Sequence, residues 1–365
     1  PVENTIIIDT LQMQSNKENV QLSSSRGRSI LGSVLKDSKH PNKSECSICE
    51  DRKKTDGTQQ EQNWEQVYKE EDGTPLSRQK SRDKIREEAI LLRASRSQVN
   101  IHASLHDQID QAHLAAHLPK LYLPCGFGPV KPDNGKVFFF DIDNCLYKKS
   151  TKIHDLMQIY IHRYFKKHLH LNDQDAYRLH MKYYKEYGLA IEGLVRKHRI
   201  NALEYNKVVD DALPLDRILV PNVKLRKLLI RLKQDGIIQR LWLFTNAYKN
   251  HGLRVINLLG LGDLFDGMSF CDYSQEPMVC KPMKGAFDKA LVDAGVTDPT
   301  HNAYFIDDSS LNIDAASKFG WKHVIQYIED ADADEIAKRK AENPNITIVR
   351  DILELPKACP ELFSN

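Results

Sequence analysis

Residues 136–146 read Lys-Val-Phe-Phe-Phe-Asp-Ile-Asp-Asn-Cys-Leu. Four apolar residues, Val137 to Phe140, run without interruption into two aspartates, Asp141 and Asp143. Such a run of aromatic and β-branched residues predicts a strand buried on both faces, which is typical of the middle of a parallel sheet. In open α/β sheets, ligands bind at the carboxyl ends of the strands. The stretch therefore predicts both the fold class and the position of a site.

The two aspartates are separated by a single residue, and like charges this close raise each other's pKa unless a positive charge compensates them. A hard cation such as Mg²⁺ is a common partner for carboxylates arranged in this way. Aspartate is also frequent in solvated turns. Asp141 and Asp143 alone therefore leave open a plain turn without a function.

Composition narrows the class of protein. The 365 residues include 52 basic and 50 acidic side chains, a net charge of +2, so we expect no nucleic acid polymer and no membrane surface as the main partner. No apolar run approaches the roughly 18 residues of a membrane span. The seven cysteines have no disulfide-framework spacing, which predicts free thiols and a cytoplasmic or nuclear protein.

The chain changes character along its length. Residues 1–76 are polar with few apolar islands, which predicts a disordered tail that offers a site for a regulatory partner. Residues 77–118 show apolar positions at helical spacing, and several prolines and glycines follow, so 77–132 is interpreted as a helical segment and linker.

Four further strands are predicted after the first, each separated from the next by helical or loop sequence. Strands alternating with helices predict an α/β fold with a doubly wound parallel sheet. The core is assigned to 133–150 and 216–330, and a helical cap at 151–215 is inserted after the first strand. Residues 331–365 are expected to pack on the core as a C-terminal extension. The predicted strands are Leu241–Phe244, Phe265–Phe270, Ala303–Ile306 and Trp321–Ile325.

Polar residues with side chains that suit binding or catalysis lie next to several of these elements. Thr245 and Asn246 end the second strand, Lys281 precedes a helix, and Asp307 and Asp308 end the fourth strand. A hydroxyl, backbone amides and an ammonium group at such positions suit a phosphoryl group. Each residue alone has an ordinary alternative: Thr245 as a helix N-cap and Lys281 as a solvated side chain.

Taken in order, these segments resemble the four motifs of the haloacid dehalogenase superfamily of phosphohydrolases, over about residues 133–330. The amino-acid sequence of these segments resembles that of the fungal pyrimidine 5′-nucleotidase branch, which also includes lysophosphatidate phosphatases. The segments that carry the resemblance are Asp-Ile-Asp-Asn at 141–144, Tyr-Gly-Leu-Ala at 187–190, Leu-Trp-Leu-Phe-Thr-Asn at 241–246 and Phe-Ile-Asp-Asp at 305–308.

The resemblance implies a Mg²⁺-dependent phosphatase that acts on a small phosphomonoester, with nucleoside 5′-monophosphates such as UMP and CMP as substrates. It implies Asp141 as nucleophile and Asp143 as general acid and base. The implied metal ligands are Asp141, the backbone carbonyl of Asp143, and Asp308, with support from Asp307 and Asn312. The implied phosphate and substrate contacts are Asn144, Thr245, Asn246, Lys281 and Tyr187.

One position departs from the family pattern: Cys145 stands where the superfamily commonly has Thr. Because this position follows the catalytic pair and mainly shapes the loop, we expect activity to be retained.

Three alternatives stay open. A dehalogenase also uses a strand-end aspartate, but Asp143 and the Asp307-Asp308 pair argue against it. A lysophosphatidate or other small-metabolite phosphatase would use the same mechanism, because the cap decides the substrate. An interaction protein with an inert α/β domain is the third alternative.

Overall fold

The computed structural model describes residues 6–7, 76–97, 104–187 and 189–363. The expected disordered tail at 1–76 lies outside these ranges, apart from Ile6–Ile7 and Leu76. The fold below is that of the compact unit that includes residues 83–365.

The central feature is a six-stranded parallel sheet. A small antiparallel pair of β1 (Ile6–Ile7) and β2 (Tyr122–Leu123) precedes it along the chain. The order across the sheet is β5-β4-β3-β6-β7-β8, which is doubly wound as predicted. The strands are β3 (Val137–Phe140), β4 (Arg240–Phe244), β5 (Gly267–Ser269), β6 (Ala303–Asp307), β7 (His323–Tyr327) and β8 (Thr347–Val349).

All five predicted strands are present, and four of them differ from the prediction in their bounds: the second and the fourth are each one residue longer. The third is limited to Gly267–Ser269, and the fifth runs over His323–Tyr327. Trp321, which precedes the fifth strand, packs into the core. The edge strand Thr347–Val349 was not predicted, since three residues are too short to show a pattern.

Helices flank the sheet and form the cap. Two lie before the sheet: α1 (Leu76–Ser97) and α2 (Leu105–Ala116). Four lie within the predicted cap at 151–215: α3 (Ile153–Leu169), α4 (Asp173–Tyr187), α5 (Ala190–His198) and α6 (Ala202–Val208). The others are α7 (Val223–Gln234), α8 (Lys249–Leu258), α9 (Lys284–Ala294), α10 (Pro299–Asn302), α11 (Ser310–Lys318), α12 (Ala333–Glu342) and α13 (Leu355–Ala358). Short 3-10 helices lie at Lys149–Thr151, Leu215–Arg217, Ile352–Glu354 and Pro360–Leu362.

The alternation of side chains along β3 divides the core into two layers. Phe138 and Phe140 belong to one hydrophobic cluster with Leu229 of α7. Phe139 belongs to the other, with Phe287 of α9. Because successive side chains of a strand point to opposite faces, each face needs its own layer of helices. The uninterrupted apolar run is explained by this double burial.

The cap has its own hydrophobic cluster, built from α3 to α6 and residues of the loop after β5. The side chain of Asn172 accepts a hydrogen bond from the Asp175 amide and caps α4. At Gly193 of α5, a Cβ atom would lie 2.1 Å from Cγ of Tyr183. Glycine at this position allows α4 and α5 to approach closely.

The two helices before the sheet confirm the helical prediction for 77–118 and contact different parts of the fold. In α1, Ile90 and Leu91 are buried, and Glu87 binds the Arg163 side chain of cap helix α3. In α2, Asp110 accepts a hydrogen bond of 2.7 Å from Lys227 of α7. The N-terminal helices therefore contact both the cap and the core.

The expectations about cysteines and about membrane spans can be compared with the described residues. Cys125, Cys145, Cys271, Cys280 and Cys359 are free thiols. Among the helices within the described ranges, none has the length and apolar content to cross a membrane.

Candidate active site

The register of the sheet brings the predicted site residues to one edge. Phe140, which precedes Asp141, pairs with Leu243 on one side and Ile306 on the other. The Asp141 amide donates to the Ile306 carbonyl oxygen at 3.0 Å. The residues after β3, β4 and β6 therefore leave the sheet side by side.

Lys281 lies at the centre of this edge. Its Nζ is 2.7 Å from Oδ1 of Asp141, 2.6 Å from Oδ2 of Asp307 and 2.7 Å from the Phe244 carbonyl oxygen. The side chain is 1% exposed, so the solvated alternative for Lys281 is wrong. Burial alone would lower its pKa, but Asp141 and Asp307 raise it. The residue is therefore a buried cation held by two carboxylates.

Asp141, Asp307 and Asp308 offer carboxylate oxygens within 4.8 Å of one another. Burial, opposed by Lys281, raises the pKa of Asp141 well above its usual range. Burial and the Asp307 charge raise the pKa of Asp308 to about 7. Three carboxyl groups face one ammonium group, so without a further cation their negative charges are not all compensated, and the pKa of Asp141 and of Asp308 rises. Three oxygen ligands that share one ammonium group fit a divalent cation.

Asp307 is held from two directions. The Nδ2 atom of Asn312 donates to both of its carboxylate oxygens at 3.1 and 3.0 Å, and the Ser309 amide donates to Oδ1 at 2.8 Å. Such contacts fix the orientation of a carboxylate near a metal site. The supporting contacts of Asp307 and Asn312 with a metal stay a prediction.

Thr245 and Asn246 follow β4 directly. Thr245 is buried, and its Oγ1 accepts a hydrogen bond from the Ala247 amide at 3.0 Å. Helix α8 begins later, with Tyr248 as its N-cap, so the N-cap alternative for Thr245 is wrong. Asn246 exchanges two hydrogen bonds with the Lys281 backbone, at 2.7 and 2.8 Å. Asn246 therefore fixes the segment that carries the buried lysine.

Asp143 has a different environment from Asp141. Its Oδ1 accepts hydrogen bonds from the Tyr147 hydroxyl at 2.5 Å and from Nε2 of His251 at 2.7 Å. Burial alone would raise the pKa of Asp143, but His251 and Tyr147 lower it overall. The two aspartates of the motif are thus tuned in opposite directions.

The other predicted residues lie around this centre. Asn144 has a left-handed backbone with φ 58, and Cys145 is buried close to the Ile306 carbonyl. Tyr187 packs against Tyr183 and under the Arg196 guanidinium group, so its contact with substrate stays a prediction. The tyrosine whose pKa is raised by burial and by the charges of Asp308 and Asp307 is Tyr184.

Tyr147, His251 and Asp210 were not identified from the sequence. His251 is fully buried on α8, and Asp210, just after α6, is buried within electrostatic range of it. Burial raises the pKa of Asp210 to about 7, against the opposing influence of His251. For Tyr147, the sequence offers one signal of its contact with Asp143: it lies only four residues further along the chain. No local pattern marks His251.

The parallel sheet, the inserted cap and the acids at the strand ends define a hydrolase of the haloacid dehalogenase type. A sequence model described as haloacid dehalogenase-like hydrolase matches residues 136–320, and the chain belongs to this family. Phosphate metabolism protein 8 of Saccharomyces cerevisiae is 44% identical over 230 residues, which cover 60% of this chain and 71% of the yeast protein.

Two solved structures are also similar. A mutant of CbbY from Rhodobacter sphaeroides, in complex with xylulose-(1,5)bisphosphate, is 18% identical with a TM-score of 0.42, covering 60% of this chain and 96% of that one. The HAD-hydrolase YfnB of Bacillus subtilis, bound to magnesium, is 15% identical with a TM-score of 0.37, covering 62% and 98%.

Proposed function

We propose that this protein is a Mg²⁺-dependent phosphatase that hydrolyses nucleoside 5′-monophosphates, with UMP and CMP preferred, to nucleoside and phosphate. The observation that carries the proposal is the buried cluster in which Lys281 joins Asp141 to Asp307, with Asp308 beside them. A nucleophilic carboxylate next to fixed positive charge suits attack on a phosphoryl group.

Asp141 acts as the nucleophile and forms an aspartyl-phosphate with release of the nucleoside. Asp143, two residues on, donates a proton to the leaving ribose oxygen and then takes one from the water that hydrolyses the intermediate. Because His251 and Tyr147 lower its pKa in the protein without substrate, Asp143 would take up the first proton when the negatively charged phosphate of the substrate lies beside it. Lys281 and the Thr245 hydroxyl stabilise the charge of the transferring phosphoryl group, together with the Asn246 amide. The hydrogen bonds between the Asn246 side chain and the Lys281 backbone support these positions.

The metal would be held by Asp141, Asp308 and the backbone carbonyl of Asp143, with Asp307 in support. The excess of carboxylates over ammonium groups in this cluster favours a divalent cation. When bound, Mg²⁺ would orient the nucleophile and neutralise phosphate oxygens.

The nucleoside substrate is supported by two features. The first is the resemblance of the motif segments to the pyrimidine 5′-nucleotidase branch. The second is Tyr184 of the cap, which is 48% exposed and lies within electrostatic range of Asp307 and Asp308. A half-exposed aromatic ring near a phosphate site can stack on a base.

The test is phosphate release with Mg²⁺ across UMP, CMP, AMP, GMP, lysophosphatidate and phosphoglycolate. We expect the highest kcat/KM with UMP or CMP, and loss of activity with EDTA and in Asp141→Asn. Because Asn is nearly isosteric with Asp, the variant should keep its fold, which circular dichroism checks. Preference for lysophosphatidate would overturn the substrate and keep the mechanism. No release from any substrate would favour an interaction protein with an inert domain.

A further inference from the structure

The two hydrogen bonds to Asp143 go to the same oxygen. The Tyr147 hydroxyl is 2.5 Å from Oδ1, and Nε2 of His251 is 2.7 Å from it. The other carboxylate oxygen, Oδ2, receives neither bond. Asp143 is 29% exposed, so its carboxyl group is held on one side and open on the other. A carboxyl group fixed in this way has a single oxygen available to a substrate.

His251 is built into the core at this point. It is fully buried and lies on α8, the helix that follows Thr245 and Asn246. Asp143 and Asp210 both act electrostatically on it. The Nδ1 atom of His251 is buried and has no hydrogen-bond partner among the described residues. The contact with Asp143 is therefore the side-chain hydrogen bond that orients this ring.

We propose that His251 is a positioning residue for proton transfer: it holds Oδ1 of Asp143 so that Oδ2 faces the leaving group. This inference rests on the general acid and base assigned to Asp143 in the proposed function. In the first step, the Oδ2 proton moves to the ester oxygen as the phosphorus–oxygen bond breaks and Asp141 binds phosphorus. In the second step, Oδ2 takes a proton from water as the water oxygen attacks phosphorus and the bond between phosphorus and the Asp141 carboxylate breaks, which releases phosphate and restores Asp141.

A positioning residue differs from a core histidine in its dependence on the leaving group. Departure of an alkoxide needs a proton, whereas p-nitrophenolate leaves as a stable anion. Loss of correct proton delivery therefore slows alkyl phosphates and spares p-nitrophenyl phosphate. A general loss of site structure would slow both.

The experiment compares His251→Leu and His251→Gln with Asp143→Asn. The substrates are p-nitrophenyl phosphate and the alkyl phosphate of the earlier panel that the wild type hydrolyses fastest. Single-turnover measurements with enzyme in excess follow departure of the leaving group. Hydrolysis of the aspartyl-phosphate, which both substrates share, then does not enter.

We expect His251→Leu to slow departure from the alkyl phosphate by about 10- to 100-fold, which is less than the roughly 10²- to 10⁴-fold contribution of a general acid because Asp143 itself remains, and to slow departure of p-nitrophenolate by less than about threefold. His251→Gln should recover most of this loss, because its amide N–H can reach Oδ1 of Asp143. Thermal unfolding verifies that the variants are folded.

The outcomes separate the two proposals. If Asp143→Asn shows the same selectivity and His251→Leu slows both substrates alike, His251 is a structural residue and the inference is wrong. Failure of His251→Gln to improve on His251→Leu also overturns it. If Asp143→Asn has no leaving-group dependence, or no alkyl phosphate is hydrolysed, the proposed function itself fails and the inference fails with it.

Discussion

Lys281 lies 140 positions after Asp141 in the chain, yet its ammonium nitrogen is 2.7 Å from Oδ1 of that aspartate. The same nitrogen is 2.6 Å from Asp307. Removing one partner of a buried ion pair is costly because it leaves uncompensated charge in the interior. This one side chain therefore has a role in stability as well as in the proposed chemistry.

Lys281→Met should lower both activity and stability. We expect kcat to fall by at least about 100-fold, since a fixed charge at the transferring group is lost. Loss of one partner of the buried ion pair should lower the free energy of unfolding by about 3 kcal/mol. Steady-state kinetics and urea denaturation measure the two effects.

The matched control is Lys284→Met, three residues later. Lys284 is 63% exposed and pairs with Asp288 on the surface, so its loss should change stability by less than about 0.5 kcal/mol. Equal effects of the two variants would contradict the role assigned to the buried lysine.

Metal binding gives a second prediction. A cation that binds the folded protein raises its stability, by about 2.7 kcal/mol at one hundred times the dissociation constant. We expect Mg²⁺ to raise the melting temperature of the wild type and to do so less in Asp308→Asn, which removes one ligand. Differential scanning fluorimetry measures this without any substrate.

Asp288→Asn, an exposed acid on α9, serves as the control and should respond to Mg²⁺ like the wild type. The same rise in Asp308→Asn and the wild type would exclude Asp308 as a ligand.

Much of this site was predictable, because it follows strands. Asp141, Thr245 and Asp307 each come directly after an apolar run, and parallel strands present their carboxyl ends at one edge. Lys281 was placed by motif order, but its burial was not foreseen, since that depends on how the loop before α9 folds over the sheet.

His251 was not predictable in the same way. It is 108 positions from Asp143, and their contact depends on the rotation of α8 about its axis. Contacts between helices are hard to predict for the same reason. The apolar spacing predicts helices within 77–118, but nothing in it predicts that Glu87 binds the cap. Side-chain pairs between distant elements leave no local pattern.

Two histidines in the cap predict sensitivity to acid. The rings of His162 and His180 are 5.5 Å apart. Burial lowers the pKa of His162 to about 4 and of His180 to about 3. Both stay neutral in the folded protein at pH 5, whereas the unfolded chain binds protons below about 6.5. The contribution of the two neutral histidines to the free energy of unfolding is therefore fully present above pH 6.5 and is lost as the pH drops toward 4.

Between the two pKa values, the free energy of unfolding should fall by about 1.4 kcal/mol per pH unit for each histidine as the pH is lowered. Urea denaturation between pH 7 and 4.5 measures this slope, and His180→Leu should remove about half of the contribution of the pair His162 and His180. The difference from the wild type isolates this effect from Asp210, whose raised pKa acts in the opposite direction. His106→Gln, at a 78% exposed position, is the control. An unchanged slope in His180→Leu would contradict the assignment.

The attachment of α1 to the cap gives the last prediction. Glu87 accepts hydrogen bonds from the Tyr160 hydroxyl at 3.1 Å and from Nη2 of Arg163 at 2.8 Å. Its side chain is 20% exposed, so solvent screens the pair only in part. Glu87→Ala should lower the free energy of unfolding by about 1 kcal/mol, the usual contribution of such hydrogen bonds.

The next residue, Glu88, is 64% exposed and 3.9 Å from Lys84 within the same helix. Glu88→Ala changes the same residue type in the same helix and should have almost no effect, because exposed pairs contribute little. Because the two variants differ only in whether the carboxylate binds the cap, a difference in their unfolding midpoints measures the attachment of α1, and equal midpoints would show that Glu87 does not stabilise it.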